Sequence, residues 1–239
     1  MVAVLVSLGA AGCGNTATAG PTAAPDQVVT KAPDVTLAAR TARVKINAPA
    51  AAAQGIVDFA TRSGHLTVSD TQTTRPADLL VAAGAGFLKR AGDPGYVDIG
   101  SAVPAALRGG DPFANLDVIR GTVHILSDGG AEVDGASTIE YTLTIDPGQA
   151  ISTTPPERQA AVRQVLQGRT STFPINVWID SKLFVRRIEV PVDLKSTTPS
   201  TRVDRMPIAT DVDYLAFGEP VPAVQPPPTG QPGPTTTAP

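Results

Sequence analysis

The sequence predicts an α+β fold: a strongly curved antiparallel sheet of about ten strands, with two or three short helices on its concave face. Three observations carry this. Apolar and polar residues alternate at period two through most of the middle of the chain, the pattern of strands with one dry and one wet face. Helix-start signals are confined to a few places between those segments. A sheet this wide curls rather than staying flat, and the amphipathic helices cover its hollow side. If they do not fill the hollow, an apolar cavity remains.

The elements follow in order. Residues 2–11 are VAVLVSLGAA, an apolar run of signal-peptide type, too short to span a bilayer as a helix. It ends at Ala10-Ala11-Gly12-Cys13, small residues before the only cysteine, which resembles a bacterial lipobox. Residues 1–12 are then a signal peptide, and Cys13 is the lipidation site, carrying diacylglycerol and a further acyl chain such as palmitate. Each buried methylene contributes about 0.8 kcal/mol, so such a cysteine anchors the chain firmly without spanning the membrane. The expected location is the outer face of the cytoplasmic membrane, in the cell envelope. Residues 13–33 are small, polar and broken by proline, and read as a flexible tether. The folded domain is expected over 34–219, with room for a short helix in 34–42.

Strands are predicted at 43–46, 56–59 and 65–68, the last two around a tight turn at Ser63-Gly64. Residues 79–82 and 86–89 form a hairpin around Gly84, and 96–99 follow the Asp93-Pro94-Gly95 turn. A short helix fits near Ala102–Leu107. Asp111-Pro112 starts a helix through Leu116 and Ile119, with Asp as N-cap and Pro at the first position. Thr122–Ile125 leads into a turn at Asp128-Gly129-Gly130. Every second residue of 139–146 is apolar. Thr154-Pro155-Pro156-Glu157 has the spacing of a capping box, opening a helix to Gln167 that Gly168 closes. The strands 175–180, 188–194 and about 206–217 complete the sheet. Residues 220–239 form a Pro/Thr-rich disordered tail.

Composition excludes several classes. Nineteen Lys+Arg against 22 Asp+Glu give a net charge of -3, so no nucleic acid partner is expected. One cysteine forms no internal disulfide and no Cys-cluster zinc site. His65 and His124 are far apart in sequence, so neither metal nor other cofactor is expected. No G-x-S-x-G, phosphate loop or H-E-x-x-H occurs, and no catalytic residue is assigned: the chain does not read as an enzyme.

Six stretches occur in an order that resembles a known family: ARTARVKI (39–46), GIVDFATRSGHLTV (55–68), DPFANLDVIRG (111–121), IEYTLTID (139–146), INVWIDSKLFVRRIEVPVDL (175–194) and DYLAFGEPV (213–221). In this they are similar to actinobacterial, mycobacterial lipoproteins of the LppX/LprAFG family. The resemblance implies a LolA/LolB-like half-barrel with helices plugging its concave side. It also implies a monomer that holds a lipid or glycolipid in a hydrophobic cavity and moves it across the periplasmic space. The carried-over cavity residues are Ile139, Tyr141, Leu143 and Ile145 on one strand and Ile175, Val177 and Ile179 on another. Leu116, Ile119, Val162 and Val165 face them from the helices. Val123 and Ile125, on the apolar phase of the preceding strand, join the candidates.

Alternation places Trp178 on the opposite side from Ile175, Val177 and Ile179. Arg187 falls on the polar side with Glu189. Arg186 shares the phase of Ile188 at a strand end, where it is a candidate for the cavity rim. The glycine-flanked segment Gly100–Gly110 is the candidate for a mobile mouth. The alternative to a lipid carrier is the same fold with a filled core, acting as an interaction or scaffolding lipoprotein.

Overall fold

The structure is a computed structural model describing residues 21, 23–70, 75–100, 102–107, 109–192, 209–221, 224 and 227. The expected signal peptide, Cys13 and most of the Pro/Thr-rich tail lie outside the described residues. Eleven antiparallel strands form one open, curved sheet. They are β1 (Thr41–Asn47), β2 (Ala51–Asp58), β3 (Ser63–Asp70), β4 (Ala77–Ala82), β5 (Ala85–Arg90), β6 (Val97–Asp98), β7 (Thr122–Val133), β8 (Ala136–Ile145), β9 (Phe173–Asp180), β10 (Val185–Pro191) and β11 (Ala209–Phe217).

The strand order is β6-β5-β4-β3-β2-β1-β11-β10-β9-β8-β7. Two meanders, β1–β6 and β7–β11, are thus joined by pairing the first strand with the last. In that central pair Val44 lies opposite Tyr214 and Ile46 opposite Val212, all four fully buried. Cross-strand apolar pairs of this kind hold the register.

Four helices interrupt the strands: α1 (Pro25–Ala38) before β1, α2 (Ala114–Val118) between β6 and β7, and α3 (Pro147–Thr153) and α4 (Gln159–Leu166) between β8 and β9. Helix α1 packs on β7, β9 and β10. The Thr36 hydroxyl pins it there: it donates to the Ala32 carbonyl at 2.8 Å and accepts the Val185 amide at 2.9 Å. A charge cluster links α1, α2 and the start of α4. Asp117, 1% exposed, accepts Arg120 Nε at 3.1 Å and pairs with Arg158 Nη2 at 3.2 Å, while Arg120 Nη2 also reaches Asp34 on α1. Burial is the largest influence on the Asp117 carboxyl and raises its pKa above the ordinary value, with Arg158 and Arg120 opposing.

Several sequence expectations need correction. The tether expectation for 13–33 ends early, because α1 begins at Pro25 and runs through Pro33 to Ala38. Its buried residues Val28, Val29, Ala32, Pro33 and Thr36 form a helical stripe that anchors the segment. Ser63-Gly64 is not a turn; both residues pair within β3, opposite Asp58 and Val57. Asp128-Gly129-Gly130 does not end β7. The strand passes through with a register shift between Ser127 and Gly129, whose φ of +104° absorbs a bulge. The Thr154 capping box does not form, because the Thr154 hydroxyl donates back to Ala150 at 2.7 Å and ends α3. Strand β10 stops at Pro191 rather than at Leu194, which lies outside the described residues. The hairpin around Gly84 forms as expected, with Ala83 and Gly84 both at positive φ.

Candidate functional site

The two halves of the sheet are filled differently. Over β8 and β9 the helices pack solidly. Leu116, Ile119, Tyr141, Leu143, Ile145, Val162, Ile175, Val177 and Ile179 are each at most 2% exposed. In the first meander, β5, residues between Ile99 and Asp111 and the end of α4 enclose a space.

That space is a partly open cavity of about 810 Å³, within the roughly 300–1,000 Å³ typical of small-ligand sites. Its wall comes from three places. Strand β5 supplies Leu88 and Arg90. The following segment supplies Ile99, Ala102, Val103, Pro104, Ala105, Gly109 and Asp111. Helix α4 and its end supply Gln164, Val165 and Gln167. Leu88, Ala102 and Val165 are buried and apolar; Arg90, Gln164 and Gln167 are exposed. The site therefore has a greasy interior and a polar mouth.

Asp111 is the charged residue in the buried part, 5% exposed. Its Oδ1 accepts the amides of Phe113 at 2.8 Å and Ala114 at 3.0 Å, capping the turn into α2 as expected. Burial raises the Asp111 pKa; the two amides and Arg62 pull the other way. Nearby, Asn115 Nδ2 donates to the Gly109 carbonyl at 2.7 Å, and Tyr214 Oη donates to Pro112 at 2.8 Å. Gly109 has φ +80°, and a Cβ on Gly110 would stand 2.6 Å from Ile46 Cγ2. The consecutive glycines are therefore required by the path that brings Asp111 to the cavity.

The sequence candidates are distributed as follows. Val165 lines this cavity. Ile119, Val123 and Ile125 border a separate groove of about 560 Å³ between α1, β7 and α3, where Val123 is 51% exposed on the edge strand. Leu116, Tyr141, Leu143, Ile145, Val162, Ile175, Val177 and Ile179 form solid core, and Ile139 packs against it half-buried. Arg186 lines neither space. A bulge between Val185 and Arg187 gives the inward phase to Val185, which pairs with Ile179. Arg186 is displaced onto Asp180, at 2.7 Å, with its guanidinium 4.9 Å from the Phe217 ring centre. Trp178 lies on the opposite face from Ile175 and Val177, as expected, with the Arg187 guanidinium 5.8 Å from its ring.

Leu88, Ile99, Ala102, Val103, Asp111 and Gln164 were not among the candidates. The available signal was the Gly100–Gly110 segment, expected at the mouth and found in the wall.

No family model and no curated protein matches the sequence. Solved structures do. LprF from Mycobacterium bovis superposes with a TM-score of 0.54 at 19% identity, over 85% of this chain and 97% of LprF. Lipoprotein LppX from Mycobacterium tuberculosis superposes with a TM-score of 0.52 at 14% identity, over 83% of this chain and 99% of LppX. The chain has the fold of LprF and LppX. The curved antiparallel sheet with helices on one face is thus shared almost end to end with both proteins.

Proposed function

We propose that this chain is a cell-envelope lipoprotein of the LppX/LprAFG kind that binds a lipid or glycolipid in the cavity beside β5 and carries it across the periplasmic space. The observation that carries the reading is the 810 Å³ cavity with a buried apolar wall and a polar mouth, on the LppX fold. An acyl chain entering it is held by apolar burial, about 25 cal/mol per Å² removed from water. No covalent step is required. Acylated Cys13 tethers a monomer to the outer face of the cytoplasmic membrane. Gly100 and Gly109, both at positive φ, flank the wall segment that moves to admit and release cargo.

Native mass spectrometry of the chain purified from an actinobacterial host tests this. The expected result is an added mass that dissociates on activation and is recovered as lipid by solvent extraction. A bare polypeptide mass, with no uptake of an apolar fluorophore, contradicts it.

A second reading draws on one specific observation, the solid packing beneath β8 and β9. In it the chain is an interaction or scaffolding lipoprotein, and the exposed Val123 and Leu126 of edge strand β7 are partner surface. It predicts normal envelope behaviour with no bound lipid.

A further inference from the structure

Strand β5 ends on a charge placed on the concave face. Leu88 pairs with Leu79, and both are buried there. Side chains two residues apart leave a strand on the same face. Arg90, opposite Ala77, therefore shares the side of Leu88, while Lys89 and its partner Asp78 share the other. Leu88 and Arg90 both line the cavity; Leu88 is buried and Arg90 is exposed.

The Arg90 guanidinium is also uncompensated. Among the described residues, no carboxylate lies within ion-pair distance of it. The acidic residue nearest in sequence, Asp93, is turned to the backbone, its Oδ2 accepting the Arg90 amide at 2.9 Å. Asp111, the other charged residue of the described wall, is buried and caps the amides of Phe113 and Ala114. Arg90 is thus the cation of the described wall, and it shares the mouth with the exposed Gln164 and Gln167.

We propose that Arg90 anchors the head of the cargo: it takes the anionic head, carboxylate or phosphate, of a single-chain amphiphile whose tail lies against Leu88, Ala102 and Val165. This rests on the lipid-binding reading above and names the class of cargo for the same site.

The chemistry fits at both ends. A guanidinium presents paired N–H donors that match the oxygens of a carboxylate or phosphate, and glutamine amides add further donors. The volume of about 810 Å³ is that of a site enclosing one drug-sized molecule, the size of a one-chain amphiphile. Entry is tail first. A head driven inward would leave water and the exposed cation for an apolar wall, and a buried charge without a partner is strongly unfavourable.

The test is displacement of a bound apolar fluorophore by three probes with the same tail: palmitate, palmitoyl lysophosphatidic acid and monopalmitoylglycerol. Wild type is expected to favour the two anionic probes over the uncharged one by about fivefold, roughly 1 kcal/mol, the scale of one exposed charge pair. In Arg90→Gln the three are expected to converge to within about twofold, whereas Arg90→Lys, which keeps the charge without the fork, retains about threefold. The stronger of the two anionic probes identifies the head as carboxylate or phosphate. Equal displacement by all three in wild type, or preference for the uncharged probe, overturns the role of Arg90 and leaves lipid binding standing; the inward charge then only deters strand pairing near the sheet edge. An unchanged preference in Arg90→Gln overturns it equally. The wild-type ratio decides even if a variant fails to fold. A fluorophore that never binds overturns the lipid-binding reading itself, and this proposal with it.

Discussion

At the scale of single residues, the same Asp-Pro signal opens two helices, of which only one is plain in the sequence. Asp111-Pro112 was legible as a helix start because Asp caps and Pro suits the first position. Asp146-Pro147 carries the same signal, and Asp146 Oδ1 accepts the Gln149 amide at 2.8 Å to open α3. It was hidden by the strand alternation that ends at Asp146. What the sequence could not show is that Asp111 reaches a cavity, since that depends on contacts with β5 and α4, far away in the chain. Its burial has a consequence for stability. Burial lifts the folded pKa of Asp111 above the ordinary 3.8, so the folded chain keeps this proton to higher pH than the unfolded chain. Its contribution is most favourable below the unfolded value and declines as pH rises through the window above it. Asp111→Asn, which keeps the cap, is therefore expected to match wild type near pH 4 and to gain on it toward neutrality. Urea midpoints across that range check this. A variant that loses ground as pH rises would show that Arg62 and the two amides outweigh burial.

Among elements, strands were easier to read than helices. Period-two alternation in 139–146 and 175–180 identified β8 and β9 because each residue's face follows directly from its parity. The bulges were not legible: the one at Val185–Arg187 transferred the inward phase away from Arg186, and parity cannot foresee an extra residue. The helix expected in 34–42 lies earlier, at Pro25–Ala38, for another reason. Its 14 residues contain Pro33 and no side-chain N-cap, so local propensity argues against a helix. Tertiary contact decides instead, through the stripe at Val28, Val29, Ala32 and Thr36 and through the Thr36 hydroxyl. Thr36→Val keeps the shape but leaves the buried Val185 amide without its partner. The expected loss is about 1–3 kcal/mol, read as a lower urea midpoint. Hydrogen exchange of the Val185 amide should rise with it. An unchanged midpoint would mean that α1 contributes little to holding β10.

For the whole molecule, the curved sheet followed from strand count and one-sided apolarity, and the resemblance supplied its half-barrel form. The place of the cavity did not follow. Alternation alone points to the most strongly alternating strands, β8 and β9. Those carry large aliphatic side chains and attract the helices, so they fill. The space lies instead in the first meander, between β5, the segment that follows it and the end of α4. A claim about function therefore turns on whether that space takes up cargo. The most direct measurement is uptake of an apolar fluorophore by wild type and by Val103→Trp, a substitution that places a large ring in the cavity wall while leaving β8, β9 and their helices untouched. The expected result is saturable, roughly one-to-one uptake by wild type and at least about tenfold weaker uptake by the variant at unchanged melting temperature. Equal uptake by both chains would mean that the molecule holds apolar ligands elsewhere, or only on its surface.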